Sequence, residues 1–250
     1  MRWILGWYVF CLLTAIPSAA RDIQNKHKPN PAAASPKTRL IGFTAQNISG
    51  LTALLKLGRE QHLPMGIRYV DLQLAQKPIN ITLRRPTMQE VIEAIMSHEK
   101  HCAWKLAHGF LSVTHAGAFT GGQNLLAKRL PDFSSPRVSL QQASQLLYMS
   151  LSLRLHPDIR GFAGNYYPGL TQNMVGPLHL QGYTVSQILD WIVQEYGDAA
   201  WVVTVPAQQL DTLTPAGLWM IIDYKDPASD HAAKQILDRL LEYQSTPIAK

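Results

Sequence analysis

The run His98-Glu99-Lys100-His101-Cys102 gathers two imidazoles, a carboxylate and a thiol within five residues. These are the side chains that hold metals, move protons and attack carbonyls. Their spacing argues against such work. Two histidines in an H-x-x-H array lack the geometry of H-E-x-x-H, where both rings share one helix face around an internal general base. The run also follows an apolar helical pattern, where imidazoles meet the negative end of the helix dipole, so structural capping is expected rather than metal binding. The other histidines are scattered, with no third ligand at a recognisable spacing. No G-x-S-x-G elbow offers a seat for a hydrolase serine. Gly117-Ala118-Phe119-Thr120-Gly121-Gly122 lacks the Lys and Ser/Thr of a phosphate loop and the glycine spacing of a dinucleotide fingerprint, and reads as linker. Cys102 would be a nucleophile only where its pKa is lowered, and a strand position beside Trp104 points to core. The residues therefore lead to no catalytic group, no metal ligand and no cofactor, and to a protein that is not an enzyme.

Aromatic side chains are the other route to a ligand, because their faces stack on sugars and bases. Trp104 and Trp201 lie at equal distances from two helix starts, which suits one packing job performed twice and favours core over a sugar platform. Tyr166 and Tyr167 sit in a Gly/Asn/Pro loop on no periodic buried face. They are the candidates for partner contact, with a loop pinned back on its own domain as the alternative. Arg84-Arg85 and Lys128-Arg129 are short basic pairs of the solvated kind, and no nucleic-acid partner is expected. The triplets Asn47-Ile48-Ser49 and Asn80-Ile81-Thr82 match the glycosylation acceptor, a pattern frequent by chance.

The formal charge of +6 from 23 basic and 17 acidic residues is unevenly spread. Arg21, Lys26, Lys28, Lys37 and Arg39 stand against Asp22 alone between residues 21 and 40, so the rest is nearly neutral. Before this tract, Arg2, an apolar run from Trp3 to Ile16, and Pro17-Ser18-Ala19-Ala20 have the order of a secretory signal, expected to be cleaved after Ala20. The run is short for an uncleaved membrane anchor, and nothing later approaches the roughly 20 apolar residues of a span. Cleavage removes Cys11 and leaves Cys102 single, so it is expected as a buried inert thiol ahead of a bridge to another chain. Residues 21–40, with Pro29, Pro31 and Pro36, read as a flexible basic linker.

The elements that would position any site emerge from an internal repeat. Thr87-Met88-Gln89-Glu90-Val91-Ile92-Glu93-Ala94-Ile95-Met96 aligns without a gap on Thr184-Val185-Ser186-Gln187-Ile188-Leu189-Asp190-Trp191-Ile192-Val193, an offset of 97. The same offset carries Ile81 and Leu83 onto Leu178 and Leu180, and Trp104 onto Trp201. Thr87 with Glu90, and Thr184 with Gln187, have capping-box spacing, so each pair starts a helix. Val91, Ile92 and Ile95, and again Ile188, Leu189 and Ile192, form one apolar stripe per helix, facing a sheet. A strand precedes each helix and a hairpin follows it. Farther upstream, Leu51, Leu54, Leu55 and Leu57 carry one amphipathic helix. Leu140, Ala143, Leu146 and Leu147 carry another, opened by Ser139. A last helix is expected over about 230–243.

Each unit reads β-α-β-β-α-β-β, and the fold class is α+β: two small tandem modules with helices packed on short sheets. The domain reading is a signal peptide (1–20), a basic linker (21–40), module one (41–115), a linker (116–136), a divergent module two (137–227) and a C-terminal helix (228–250).

Phe43-Thr44-Ala45-Gln46, the Leu-rich helix from Leu51, Ile67-Arg68-Tyr69, Ile81-Thr82-Leu83, the Thr87 helix and the Trp104 hairpin together resemble the STN domain. That short module stands at the amino termini of secretins and TonB-dependent outer-membrane receptors. The resemblance covers about residues 41–115 and, more weakly, 137–225. It implies a periplasmic location and protein contacts without catalysis. The expected function is an exported, non-enzymatic interaction or envelope-assembly module, periplasmic or secreted, accessory to secretin-like or TonB-receptor-like machinery. Its partner would be an envelope protein or a second copy of itself. The alternative is an exported hydrolase or a glycan- or peptidoglycan-binding protein, with His98, Glu99, His101, Asp198 and the aromatic loop converging between the modules.

Overall fold

The structure, a computed structural model, describes residues 37–119, 124–155, 174–204, 219–226 and 231–245. The first half of the chain builds strand β1 (Gly42–Ser49), helix α1 (Gly50–Gln61), β2 (Met65–Arg68), a short α2 (Leu72–Gln76), β3 (Pro78–Arg84), α3 (Met88–Met96), β4 (Cys102–Ala107) and β5 (Phe110–His115). The second half follows with β6 (Asp132–Ser135), β7 (Val138–Ser139), α4 (Leu140–Leu155), β8 (Met174–Val175), β9 (Leu178–Gln181), α5 (Val185–Tyr196), β10 (Ala199–Val203), β11 (Trp219–Asp223) and α6 (Ala232–Ser245). The fold is α+β.

Local chemistry starts and stops these elements. Thr87 Oγ1 accepts from the Glu90 amide at 3.2 Å while the Thr87 amide donates to Glu90 Oε2 at 2.6 Å. Thr184 and Gln187 repeat the exchange at 3.3 and 2.9 Å, so both repeat helices open on reciprocal caps that satisfy otherwise orphaned amides. Ser139 and Gln142 make the same exchange at α4, whereas Ser49 caps α1 in one direction, its Oγ accepting from the Thr52 amide at 3.2 Å. Helix α2, absent from the sequence reading, begins where Asp71 Oδ1 accepts from the Leu74 amide. Helix α1 runs through Gly58 to Gln61 and stops at His62, which takes a left-handed φ of 49°. Gly58 is needed for room: a Cβ there would run into Tyr224 Oη and Met65 Cε.

The repeat extends further than the 97-residue offset reveals. Arg39-Leu40 and Phe43 recur as Arg129-Leu130 and Phe133, 90 residues on. Arg39 bridges to Thr87 as Arg129 bridges to Thr184. Strands β1 and β3 pair antiparallel with Phe43 opposite Leu83, and β6 and β9 pair with Phe133 opposite Leu180. Residues 116–136, expected as a joint, thus include the first strand of the second copy, with Leu125, Leu126, Leu130 and Phe133 buried. A four-residue strand is too short to announce itself by periodicity.

Separate short sheets were expected, one per module. Strands of both halves instead join one five-stranded sheet in the order β11-β10-β2-β5-β4, in which β10 lies parallel to β2 and β2 parallel to β5. Strand β10 reads Ala-Ala-Trp-Val-Val and is buried throughout, as a strand covered on both faces must be. Its alternate residues enter different cores. Ala200 and Val202 pack with Leu54, Ile67, Ile92, Val113 and Ile236, whereas Ala199, Trp201 and Val203 pack with Phe133, Leu147, Ile188 and Ile192.

Equivalent strands β4 and β10 run in opposite directions, because β4 is antiparallel to β5 whereas β10 is parallel to β2. Equivalent side chains also face opposite sides: Trp104 lies against the first core and Trp201 in the second. The halves are thus related by a half-turn about the hydrogen-bonding direction combined with a step along it. Helices of the first half cover one face of the sheet and helices of the second cover the other, while α6 returns to the first core through Ala232, Ile236 and Leu240.

Candidate functional site

The strands bring one chemically suggestive cluster together at the end of β4. Cys102 stands directly across from His115 in the β4–β5 register. His115 Nε2 lies 3.1 Å from Asp71 Oδ2, and its Nδ1 accepts from the Gly117 amide at 2.9 Å. The proton therefore sits on Nε2, which donates to Asp71, and neither nitrogen remains to take a proton from a thiol. Burial, followed by the nearby carboxylates of Glu99 and Asp71, pushes the Cys102 thiol up to about 12, the opposite of what a nucleophile needs.

Glu99 is buried at 4 % exposure, with Oε1 lacking a hydrogen-bond partner. Burial and then the charge of Asp71 raise its pKa, with Lys77 pulling the other way. Tyr69 packs edge-on against His115 at 5.0 Å and His101 lies 6.0 Å from it. Helix α3 has Ser97 at its C-cap, and the amides of His98 and Glu99 donate to the last-turn carbonyls of Ile95 and Met96 at 3.3 and 3.0 Å as the chain turns into β4. Among the described residues no group of three or more His, Cys, Asp or Glu is placed to hold a metal ion.

A second constellation sits where the halves meet. Arg68 on β2 reaches Asp190 Oδ2 on α5 at 2.5 Å, and the Trp201 indole N–H donates to Asp190 Oδ1 at 2.9 Å. Arg68 also donates to Ser112 on β5, and its guanidinium lies 5.2 Å from the Trp201 ring. Both charged side chains are largely buried, at 11 and 16 % exposure. Burial pushes the Asp190 carboxyl up to about 6, against the pull of Arg68 and the Trp201 hydrogen bond. This arrangement requires Gly66, directly across from Trp201: a Cβ there would fall 2.6 Å from Trp201 Nε1 and 2.8 Å from Asp190 Oδ1.

Asp198 forms a third contact between halves. It takes His62 Nδ1 and Lys225 Nζ at 2.6 Å each, so it stands apart from Glu99 and His101 rather than converging with them. Burial alone would raise its pKa, but the hydrogen bonds from Lys225 and His62 outweigh that and hold it below the usual carboxylate range. Nearby, Tyr196 Oη donates to Asp223 at 2.5 Å and Tyr224 Oη donates to the Leu63 carbonyl at 3.2 Å. An open groove of about 650 Å³ runs between β1 and α1, with Thr44, Gln46, Lys56, Arg59, Glu60 and Ala233 along it. Lys56 is held there by the Thr44 carbonyl at 2.7 Å.

Val91, Ile92, Ile95, Ile188, Leu189, Ile192 and Trp201 are fully buried. Trp104 is only partly buried, because no strand flanks β4 on its outer side among the described residues, as β2 flanks β10. Tyr166 and Tyr167 lie outside the described residues, as do residues 1–20, expected to be a signal. Arg68 and Asp190 were not singled out by the sequence reading, although Asp190 is the repeat counterpart of Glu93. No helix among the described residues is long and apolar enough to cross a membrane. The fold and its contacts define an α+β chain whose halves clasp each other through strand edges. Comparison with protein-family models, curated proteins and solved structures found no match.

Proposed function

We propose that this chain is an exported, non-enzymatic association module working at the envelope, accessory to machinery of the secretin or TonB-receptor kind. The observation that carries this reading is how the halves meet. A module of this fold recognises its own kind by adding a strand in parallel, then fixes the register with a buried carboxylate, an indole and an arginine from the neighbouring strand. Strand addition supplies affinity through backbone hydrogen bonds and specificity through alternate side chains. The polar cluster at Cys102 supports the non-enzymatic part, since both His115 nitrogens are engaged and the thiol is held protonated.

The test is chemical cross-linking in intact cells, with the full chain expressed from its own leader, followed by fractionation. The expected result is a periplasmic chain in cross-linked species above monomer mass that contain a second copy or a defined envelope protein. A chain retained in the cytoplasm, or one monomeric under cross-linking and in sedimentation, overturns the proposal.

A further inference from the structure

A half-turn combined with a step does not close on itself, so the docking geometry used once inside the molecule is offered again at its end. Strand β10 presents one edge to β11 and the other to β2. Strand β4, its repeat counterpart, is paired with β5 on one edge, and among the described residues nothing pairs with the other. The β4–β5 hairpin closes through His108 and Gly109, both at positive φ (52° and 71°), the two-residue turn that makes Ala107 and Phe110 a hydrogen-bonded pair. Alternation then aims the backbone groups of Leu106 and Trp104 outward, toward the open edge.

The side chains around this edge repeat those of the occupied one. Trp104 matches Trp201, and Glu93 on α3 matches Asp190 on α5, each at the 97-residue offset. In the occupied copy the carboxylate accepts from the indole and from Arg68, while Gly66 lets the backbone pass close beneath. In the open copy Glu93 is exposed and takes only the amide of its own-helix neighbour Gln89, at 2.8 Å, and the described residues supply no hydrogen-bond partner for the Trp104 indole.

We propose that the outer edge of β4 is a binding site for one extended segment of a partner protein, added in parallel, with a glycine opposite Trp104 and an arginine two residues later that pairs with Glu93. The chemistry required of that segment is the chemistry β2 shows β10: an apolar-Gly-apolar-Arg strand whose glycine admits the indole and whose guanidinium meets the carboxylate. Because β2 is itself paired on both edges, the occupant is a strand from outside the described fold.

This site rests on the association reading above and is tested separately from it. The probe is a synthetic peptide with the sequence of residues 63–70, Leu-Pro-Met-Gly-Ile-Arg-Tyr-Val, capped at both ends, titrated into the full chain. Binding is followed by anisotropy and by hydrogen exchange at individual amides. The expected result is saturable binding with slowed exchange at the Trp104 and Leu106 amides. Peptides carrying Gly66→Ala or Arg68→Glu should each bind about tenfold more weakly or worse, the scale of one charge-assisted hydrogen bond or one steric conflict. Glu93→Lys in the full chain, an exposed change that leaves the core intact, should weaken the unmodified peptide to the same degree and restore binding of the Arg68→Glu peptide. No binding by the folded wild-type chain, binding indifferent to Glu93→Lys, or protection at β11 instead of β4 each overturns the site. If envelope cross-links persist when the peptide fails, the site falls and the association reading stands; if cross-links vanish while the peptide binds as described, the reverse holds.

Discussion

Gly66 lies directly across from Trp201 in the parallel pairing of β2 with β10, and the indole nitrogen occupies the space a side chain at residue 66 would need. One missing methyl group thus sets how closely the two halves approach. It also lets Asp190 reach past Trp201 to Arg68.

Gly66→Ala should destabilise the protein by about 1–3 kcal/mol, the range for forcing extra atoms into a packed interior. Urea denaturation should show the loss, and the emission of Trp201 should shift to the red as the indole is displaced. Unchanged stability would mean that the halves can separate slightly without cost.

Removing Asp190 strands a buried guanidinium. Asp190→Ala should cost about 3–5 kcal/mol because Arg68 then stays buried without its counter-ion. Arg68→Met with Asp190→Leu should recover most of that loss, since an apolar pair of similar volume avoids the burial of two charges. Thermal melts of the two variants decide the point.

The two tryptophans should differ despite their equal places in the repeat. Trp201→Ala empties a fully buried site and should cost about 3–5 kcal/mol, whereas Trp104→Ala, partly open at the sheet edge, should cost well under that. Equal losses would mean that the outer side of β4 is covered. Acrylamide quenching gives an independent check.

Asp198 supplies an acid-sensitive contact between α1, β10 and β11. Its folded pKa is below the ordinary 3.8, so its contribution is fully present above that pH and is lost as pH falls through the lower, folded value. Stability measured from pH 5 downward should therefore decline, and Asp198→Asn should flatten the decline while lowering stability near neutrality.

Cys102 should be a slow thiol. With its pKa at about 12 rather than 9.0, the loss of thiolate outweighs the gain in nucleophilicity, and alkylation near neutral pH should run on the order of 50-fold slower than for a free cysteine. A rate equal to that of a free thiol would contradict the described burial and its flanking carboxylates.

The repeat helices were legible because their causes are local. Thr87 with Glu90, and Thr184 with Gln187, satisfy amides three residues away, and a helical stripe such as Val91-Ile92-Ile95 carries its own period. The first strand of the second copy was harder to see. Its signal was Arg129-Leu130 and Phe133 echoing Arg39-Leu40 and Phe43 at a stride of 90 instead of 97, and a changed stride breaks a search at one offset. Asp190 is visible as the repeat counterpart of Glu93, but nothing near Arg68 announces that its carboxylate lies 122 residues away.

By itself the sequence determined the α+β class, the two capped helices, the alternating strands and the tryptophans at matching places, since caps and periodicity act over a few residues. Only the tertiary structure decided that the two copies share one sheet, turned over relative to each other, with Trp201 sealed beneath Arg68 and Trp104 left at an edge. Pairing between distant strands is made by backbone groups that every residue possesses, so which edge finds which partner is settled by the packing of the whole chain and by no local signature.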